Sequence, residues 1–502
     1  MGHADAALAG GTGMSGFDCD LLVIGMGPVG DTLAALGRLH GLSVIAIDRS
    51  LAPHPLPRAA MVDHEVMRIM QMIGVADRVL QGMRTPSNYQ FLTAQGEILL
   101  DFKIAARGPF GWAESHAFHQ PSFEATIRER MVEMGVDVRN GVAFTALEQS
   151  EDGVVVTVDH DGHAETIRAR YAVGCDGAGS PVRQALGIVL TDFDFDEPWL
   201  VLDVMLDDEH ALPVVVQQIC DPKRPTTHLA MNDGRYRWEF MIKPGEDNAA
   251  VLEDAFINEL LAPWGCADHI RVERKTVYRF HGLIAQEWRR GRVLIAGDAA
   301  HQMPPFAAQG MCSGIRDAVN LAWKIAAVVR GAPDAILDSY QEERAPHAQA
   351  ILETAIAMGR VVCLLDEEQA AGRNAGMLAR KAAGEQDVSI AYPDLHGGMF
   401  TETPGAGALL PQPISGEQWF DTMLGHDGAL IGRNLPRHHG SVRLLDVDGT
   451  ELAPFAGDVT AWLEQWDCDA VLVRPDRHIF GTGDAAELLD RWDELLGAKV
   501  AA

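Results

Sequence analysis

The sequence predicts an α/β protein of several domains, and three observations predict it. At 502 residues the chain exceeds what one hydrophobic core serves, so two or three domains are expected. Near the start an apolar run, a glycine-rich turn, a helical stretch and a second apolar run follow one another, the pattern of a βαβ unit. A similar apolar run with a glycine turn, GRVLIAGDAAH, returns from Gly291 after a long stretch of sheet-like sequence.

Composition narrows the function classes. A hydrophobic fraction of 47% and a charged fraction of 22% suit a globular chain with a buried core. The net charge of −30 repels polyanions, so nucleic acid is not an expected partner. An anionic cofactor must then find local Arg side chains, backbone N–H groups or helix N-termini. The seven cysteines are scattered without a CxxC pair, which points away from structural zinc or a dithiol centre and toward a reducing cytoplasm, and no metal site is expected. No run has the length of a membrane span, and the N-terminus lacks the basic and apolar regions of a signal peptide, so no membrane partner is expected.

In chain order, residues 1–16 are rich in Gly and Ala and are expected to form a flexible leader. Cys19-Asp20-Leu21-Leu22-Val23-Ile24 suits a buried parallel strand, TLAALGRLHG a helix closed by Gly41, and SVIAIDRS the next strand. Helical patterns follow over about 66–79 and over 121–134, the second opened by a proline near its first turn. Between 142 and 175 the residues alternate, and Asp161-Gly162 is a hairpin signal joining two strands. Residues 191–285, with strand-like VVVQQI and RWEFMI, are assigned to a sheet-based substrate domain. The helical GIRDAVNLAWKIAAVVRG, stopped at Gly331, re-enters the first domain, so 17–190 and 286–400 make one interleaved nucleotide-binding domain. Residues 401–502 are predicted to form a small separate α/β module.

Three segments carry chemistry. Gly25-Met26-Gly27-Pro28-Val29-Gly30 lies between a strand and a helix, where glycines let a pyrophosphate approach the backbone at a helix N-terminus. Gly11-Thr12-Gly13-Met14-Ser15-Gly16 fits the same pattern, but no strand precedes it and it is set aside. Asp48 ends the next strand, placed to accept hydrogen bonds from an adenosine ribose, and Arg49 beside it joins the nucleotide-binding set. This Rossmann-like unit does not separate FAD from NAD. The second segment, Cys175 to Arg183, follows the strand-like YAVG and in isolation also suits an ordinary Asp-Gly turn with a helix cap. In the third, Asp298 ends a strand where it can hold a ribityl hydroxyl, and Gly310 and Met311 open a helix.

In this order the three segments resemble the class A flavoprotein monooxygenases, the aromatic hydroxylases. PRAAMVDHEVMRIMQMIG and RWEFMIKPGE are similar to 3-(3-hydroxyphenyl)propionate hydroxylases and phenol or resorcinol hydroxylases, and the likeness runs from about residue 18 to 400. The resemblance implies a Rossmann-like FAD-binding domain interleaved with a β-sheet substrate domain. Gly25, Gly27 and Gly30 would serve the pyrophosphate, Arg58 the nucleotide, Gln120 and Asp298 the ribityl region, Asp176 both FAD and NAD(P)H, and the Gly310 and Met311 amides the flavin ring. Pro305 matches a proline whose carbonyl lies near the substrate. One departure is Cys312, which stands where many relatives have Asn and also suits a small buried filler. AVLVRPDRHIFGTG resembles the thioredoxin-like domain appended to phenol-hydroxylase relatives, and with Cys468 alone a structural or interface role is expected there rather than dithiol chemistry.

The implied activity is FAD-dependent hydroxylation of a small phenolic aromatic, a 3-hydroxyphenyl acid among the candidates, with NADH or NADPH as transient reductant and O2 as co-substrate through a C4a-hydroperoxyflavin. Alternatives are a flavin-dependent dehydrogenase or halogenase on the same scaffold, or a non-catalytic flavin-binding protein. His301 is placed with Pro305 as a candidate for catalysis, and His228, Tyr236 and Trp238 as candidates for the substrate, although each equally suits packing. The group that ionises the phenol is left open. A homodimer is compatible with the sequence.

Overall fold

A computed structural model of the chain describes residues 16–497 apart from 54, 56, 208–211 and 388–391. Of the expected leader, 1–16, and of the discarded motif within it, all but Gly16 lies outside the described residues. The architecture is α/β with mixed sheets.

The first sheet is built on five parallel strands: Val293–Ile295, His163–Gly174, Cys19–Ile24, Val44–Asp48 and Asp137–Asn140. Leu21, Leu22 and Val23 have no exposed surface, as a strand covered on both faces requires. Three C-terminal strand ends therefore stand side by side, at Gly25, Cys175 and Ala296. Their backbones are stitched together: Cys175 N donates to the Ile24 carbonyl at 2.7 Å and Ala296 N to the Gly174 carbonyl at 3.0 Å. Helices Pro28–Leu39 and Gly310–Val329 pack across this edge. Their approach is close, since a Cβ on Gly314 would lie 2.5 Å from Val29 Cγ2. A hairpin arm, Val142–Gln149 and Val154–His160, extends the His163–Gly174 strand, and Asp161 and Gly162 both take positive φ at its turn (53° and 80°), as a two-residue hairpin loop demands.

The helical pattern over 66–79 resolves into two helices, His64–Met72 and Ala76–Leu80. Gly74 adopts φ +78° between them, a conformation that ends the first helix where apolar spacing alone would continue it. The second pattern forms Gln120–Glu133.

The second sheet runs in the order 301–302, Ile270–Ala285, Leu190–Leu206, Arg235–Met241, Thr226–Ala230, Val216–Ile219, Asn88–Leu92 and Ile98–Lys103. Two of its strands thus come from ahead of residue 190. Its outer face carries Leu200, Leu202, Tyr236, Trp238 and Phe240, covered by helix Asp254–Leu261. Its inner face turns toward the C-terminal strand ends of the first sheet and carries polar groups.

The C-terminal unit holds a four-stranded sheet in the order Arg443–Asp446, Ala429–Gly432, Ala470–Val473, Ile479–Gly483, with helices Ala456–Gln465 and Ala485–Leu496. It is docked through buried charges. Glu343 takes Lys324 at 2.9 Å and Arg474 at 2.8 Å, all three without exposed side-chain surface. Arg474 also pairs with Asp476, and Trp323 stacks on Trp492 at 5.8 Å. A second clamp joins Arg68 of helix His64–Met72 to Asp421 through two hydrogen bonds of 2.6 and 2.8 Å.

Candidate active site

A cavity of about 660 Å³ lies between the strand ends of the first sheet and the inner face of the second. That volume falls within the range of sites that enclose a ligand. Gly27, Arg58, Gln120, Asp298, Pro305, Gly310 and Met311 line it, so seven expected site residues from four separate segments meet there.

The glycines at its edge divide by role. Gly25 has φ +99° and a Cβ there would sit 2.5 Å from the Cys175 carbonyl oxygen, while a Cβ on Gly30 would sit 1.9 Å from the Gly25 oxygen. Those two are demanded by the turn itself. At Gly27 and Gly310 a Cβ would meet nothing within 4 Å, and both line the cavity, so these two glycines leave open space on its wall where a ligand could approach the backbone. Asp298 lines the same wall and makes no hydrogen bond or ion pair among the described residues. Its carboxylate is free to accept from a ligand hydroxyl.

Behind this wall, buried charges hold the turns. Asp317 accepts from Gly297 N at 3.0 Å, from His301 Nε2 at 2.7 Å and from Arg344 Nε at 3.0 Å. Burial alone would raise the Asp317 pKa, but His301 and Arg344 outweigh it and hold the carboxyl below its ordinary range. Arg316 binds Asp63, Glu65 and the Gln309 side chain, fixing the start of helix Gly310–Val329 against helix His64–Met72. Gln120 accepts from the amides of Arg58 (2.7 Å) and Ala59 (2.6 Å), and so pins that loop through its backbone.

The opposite wall is a polar row crossing neighbouring strands. Thr227 Oγ1 donates to Gln218 Oε1 at 2.8 Å, Gln218 Nε2 to the Tyr89 hydroxyl at 3.1 Å, and Tyr89 to the Phe306 carbonyl at 2.6 Å. Glu239 stands opposite Thr227 in register and also lines the cavity. The Pro305 carbonyl accepts from Ala308 N at 2.8 Å, which closes the turn before helix Gly310–Val329.

Residues 18–355 match the family model described as an FAD binding domain. The chain belongs to this FAD-binding family. It is 36% identical to a protein of Rhodococcus jostii RHA1 named as a probable NADH-specific resorcinol 4-hydroxylase, over 95% of both chains. A 3-(3-hydroxy-phenyl)propionate/3-hydroxycinnamic acid hydroxylase of Burkholderia cenocepacia HI2424 is 30% identical, over 92% of this chain and 94% of that one. Among solved structures, the flavin-dependent monooxygenase PieE in complex with FAD and substrate superimposes with a TM-score of 0.79 at 21% identity, covering 96% of this chain and 99% of that one, and shares the fold.

Within this FAD-binding fold several expected site residues lie elsewhere. His301 is fully buried and bound to Asp317 beside Trp288, off the cavity wall, so it supports the Gly297–Asp298 turn and does not face a substrate. His228, Tyr236 and Trp238 pack together on the outer face of the second sheet, with Trp264, and do not line the cavity. The physical reason is strand alternation: a shift of one residue moves a side chain through the sheet. Asp176 turns back to accept from Ser180 Oγ and Val182 N, capping helix Pro181–Ala185, while Gly177 takes its place on the cavity wall. Asp48 accepts from Met26 N and Ser50 N, both at 2.7 Å, beside the glycine turn, and Arg49 is exposed next to it. Cys312 is a fully buried thiol pushed well up by its burial.

Sequence reasoning missed Tyr89, Gln218, Thr227 and Glu239, and also Arg128, which joins Asp31 at 3.1 Å and the Met26 carbonyl behind the first glycine turn. One signal was available. In RYRWEFM the charged and aromatic residues alternate, so Arg237 and Glu239 share a face that Tyr236 and Trp238 cannot share.

Proposed function

We propose that this chain is an FAD-dependent hydroxylase of a small phenol of the resorcinol type, with NADH as reductant and O2 as co-substrate. The observation that carries the reading is the cavity itself: two unfilled glycine positions and an unpartnered Asp298 on one wall face a polar row on the other. The near full-length likeness to the resorcinol 4-hydroxylase relative supports the substrate class and the reductant.

FAD fits these residues. Gly25, Gly27 and Gly30 with the N-terminus of helix Pro28–Leu39 would hold the pyrophosphate, and Asp48 and Arg49 the adenosine ribose. Arg58, Gln120 and Asp298 would flank the ribityl and nucleotide regions beside the turn that Asp176 braces, and the Gly310 and Met311 amides the flavin ring. Bound there, FAD supplies electron transfer from NADH and activation of O2. The chain's own contribution is to orient the phenol along the Tyr89–Gln218–Thr227 row and to keep water from the reacting atoms with Val216, Leu229 and Phe102. Pro305 and its turn set the distance between the two walls.

We also read the C-terminal unit as thioredoxin-like, which its mixed sheet flanked by helices supports, and as a structural part of the enzyme. No single helix among the described residues is long and apolar enough to cross a membrane, and we infer a cytoplasmic enzyme. The test is NADH oxidation by the FAD-loaded protein with resorcinol and 3-(3-hydroxyphenyl)propionate, under isotopically labelled O2. Labelled hydroxylated product from resorcinol is expected; NADH consumption that yields only peroxide with every phenol would refute the reading.

A further inference from the structure

Five carboxylates line the cavity, and three are committed. Asp63 and Glu65 bind Arg316, and Glu114 accepts from Ala105 N at 2.9 Å. Asp298 lies on the wall proposed for FAD. Glu239 remains, on the inner face of strand Arg235–Met241, 7% exposed and without a hydrogen bond among the described residues.

The surrounding charges do not neutralise it. Arg237 Nη1 approaches to 3.9 Å, beyond hydrogen-bond reach. Four of its five N–H donors are taken: Nε by Asp203 at 2.7 Å, one on Nη1 by the Arg58 carbonyl at 2.7 Å, and those on Nη2 by the Pro57 carbonyl at 2.8 Å and Asp203 at 3.1 Å, so one Nη1 N–H stays on the Glu239 side without a hydrogen bond to it. Arg274 is held by Asp203, the Pro57 carbonyl and Tyr278. Burial pushes the Glu239 carboxyl above its ordinary range, against the pull of Arg237 and with the push of Asp203. Among the other titratable groups at the cavity, Lys103 and Tyr392 line it as well, and Tyr89 and His64 are the ones to weigh against Glu239. Burial pushes the Tyr89 hydroxyl up, and its proton is donated to the Phe306 carbonyl. His64 lies across the cavity on helix His64–Met72, edge-on to Phe110 at 4.6 Å.

We propose that Glu239 is the base that takes the substrate's phenolic proton. The inference rests on the phenol-hydroxylase reading above. In the step, the phenol O–H bond breaks, the proton moves to a Glu239 carboxylate oxygen, and the electron pair stays on the phenolic oxygen. That pair enriches the ring carbon that is to be hydroxylated, and the proton returns to the oxygen as product forms. A phenol with a pKa of about 10 is almost wholly protonated at neutral pH, and a carboxylate made more basic by burial, facing the cavity without a hydrogen-bond partner of its own, is placed to accept that proton.

The test uses the FAD-loaded enzyme and a series of resorcinols and phenols of graded acidity. With E239Q, product formation measured as kcat/KM is expected to fall about 100-fold, the scale of general-base catalysis. Its pH profile should rise only as the substrate itself ionises, and acidic nitro- or fluoro-phenols should recover most of the loss. E239D should restore part of the rate with the wild-type acidic limb, and that variant decides the matter if E239Q fails to retain flavin absorbance. Unchanged kcat/KM and pH limb in E239Q, or their loss in H64Q instead, would overturn the assignment. If the wild type hydroxylates no phenol, the functional reading fails and not this residue's role within it.

Discussion

A methyl group at Gly27 meets no protein atom within 4 Å, whereas one at Gly30 lies 1.9 Å from the Gly25 carbonyl. The same residue type therefore serves two purposes three positions apart. Gly27→Ala is expected to fold with an unchanged melting temperature and to bind FAD at least about tenfold more weakly, a difference of roughly 1.4 kcal/mol readable by flavin fluorescence titration. Gly30→Ala is expected to lose about 1–3 kcal/mol of stability by overpacking, whether or not FAD is present, and thermal unfolding of the apoprotein checks it. Asp48 illustrates a third situation. One of its oxygens accepts from the Met26 amide of the glycine turn and the other from the Ser50 amide, so it shapes the glycine loop.

Strand Arg235–Met241 sorts its side chains by parity. Tyr236, Trp238 and Phe240 fill the outer core beneath helix Asp254–Leu261, and Arg237 and Glu239 face the cavity. Trp238→Phe is accordingly expected to lower stability by roughly 1 kcal/mol or more while leaving the phenol KM within twofold. Thr227→Val, on the inner face, breaks the row at Gln218 and is expected to change the phenol KM with little change in melting temperature. Steady-state kinetics beside calorimetry separates the two. If Trp238→Phe shifts KM and Thr227→Val does not, the assignment of faces is wrong.

The molecule is held together by buried charge clusters. At Glu343 burial would raise the carboxyl, but Arg474 and Lys324 outweigh it and lower the pKa from 4.5 to about 2. A folded-state pKa below the unfolded value means stability that is complete above about pH 4.5 and is lost as the pH falls toward about 2. Glu343→Gln leaves buried Lys324 without its carboxylate, and Arg474 with Asp476 alone, and should cost about 3–5 kcal/mol near neutral pH. The gap in melting temperature between wild type and Glu343→Gln is expected to close as the pH drops through that window. A gap that stays constant with pH would show that the ionisation of Glu343 adds nothing to the docking. Arg68 and Asp421 extend the same docking to the helix carrying His64 and Glu65, so the C-terminal unit bears on the cavity without lining it.

What the sequence determined by itself were the features written in contiguous residues: the buried strands, the glycine turn before Pro28, the hairpin at Asp161-Gly162, and the three segments whose order resembles the flavin hydroxylases. Local periodicity and turn chemistry suffice for these, because each depends on neighbours within a few positions. The tertiary structure decided which side of a strand meets the ligand. It turned His228, Tyr236 and Trp238 into a core and set His301 behind the Gly297–Asp298 turn. It brought Tyr89 and Gln218, from strands far apart in the chain, into one hydrogen-bonded row. Alternation within a strand such as RYRWEFM says which side chains share a face but not which face meets a ligand, and side-chain pairing across 129 positions leaves no local signature at all. The cofactor segments were therefore legible as text, and the substrate wall, with Glu239 in it, existed only once the two sheets faced each other.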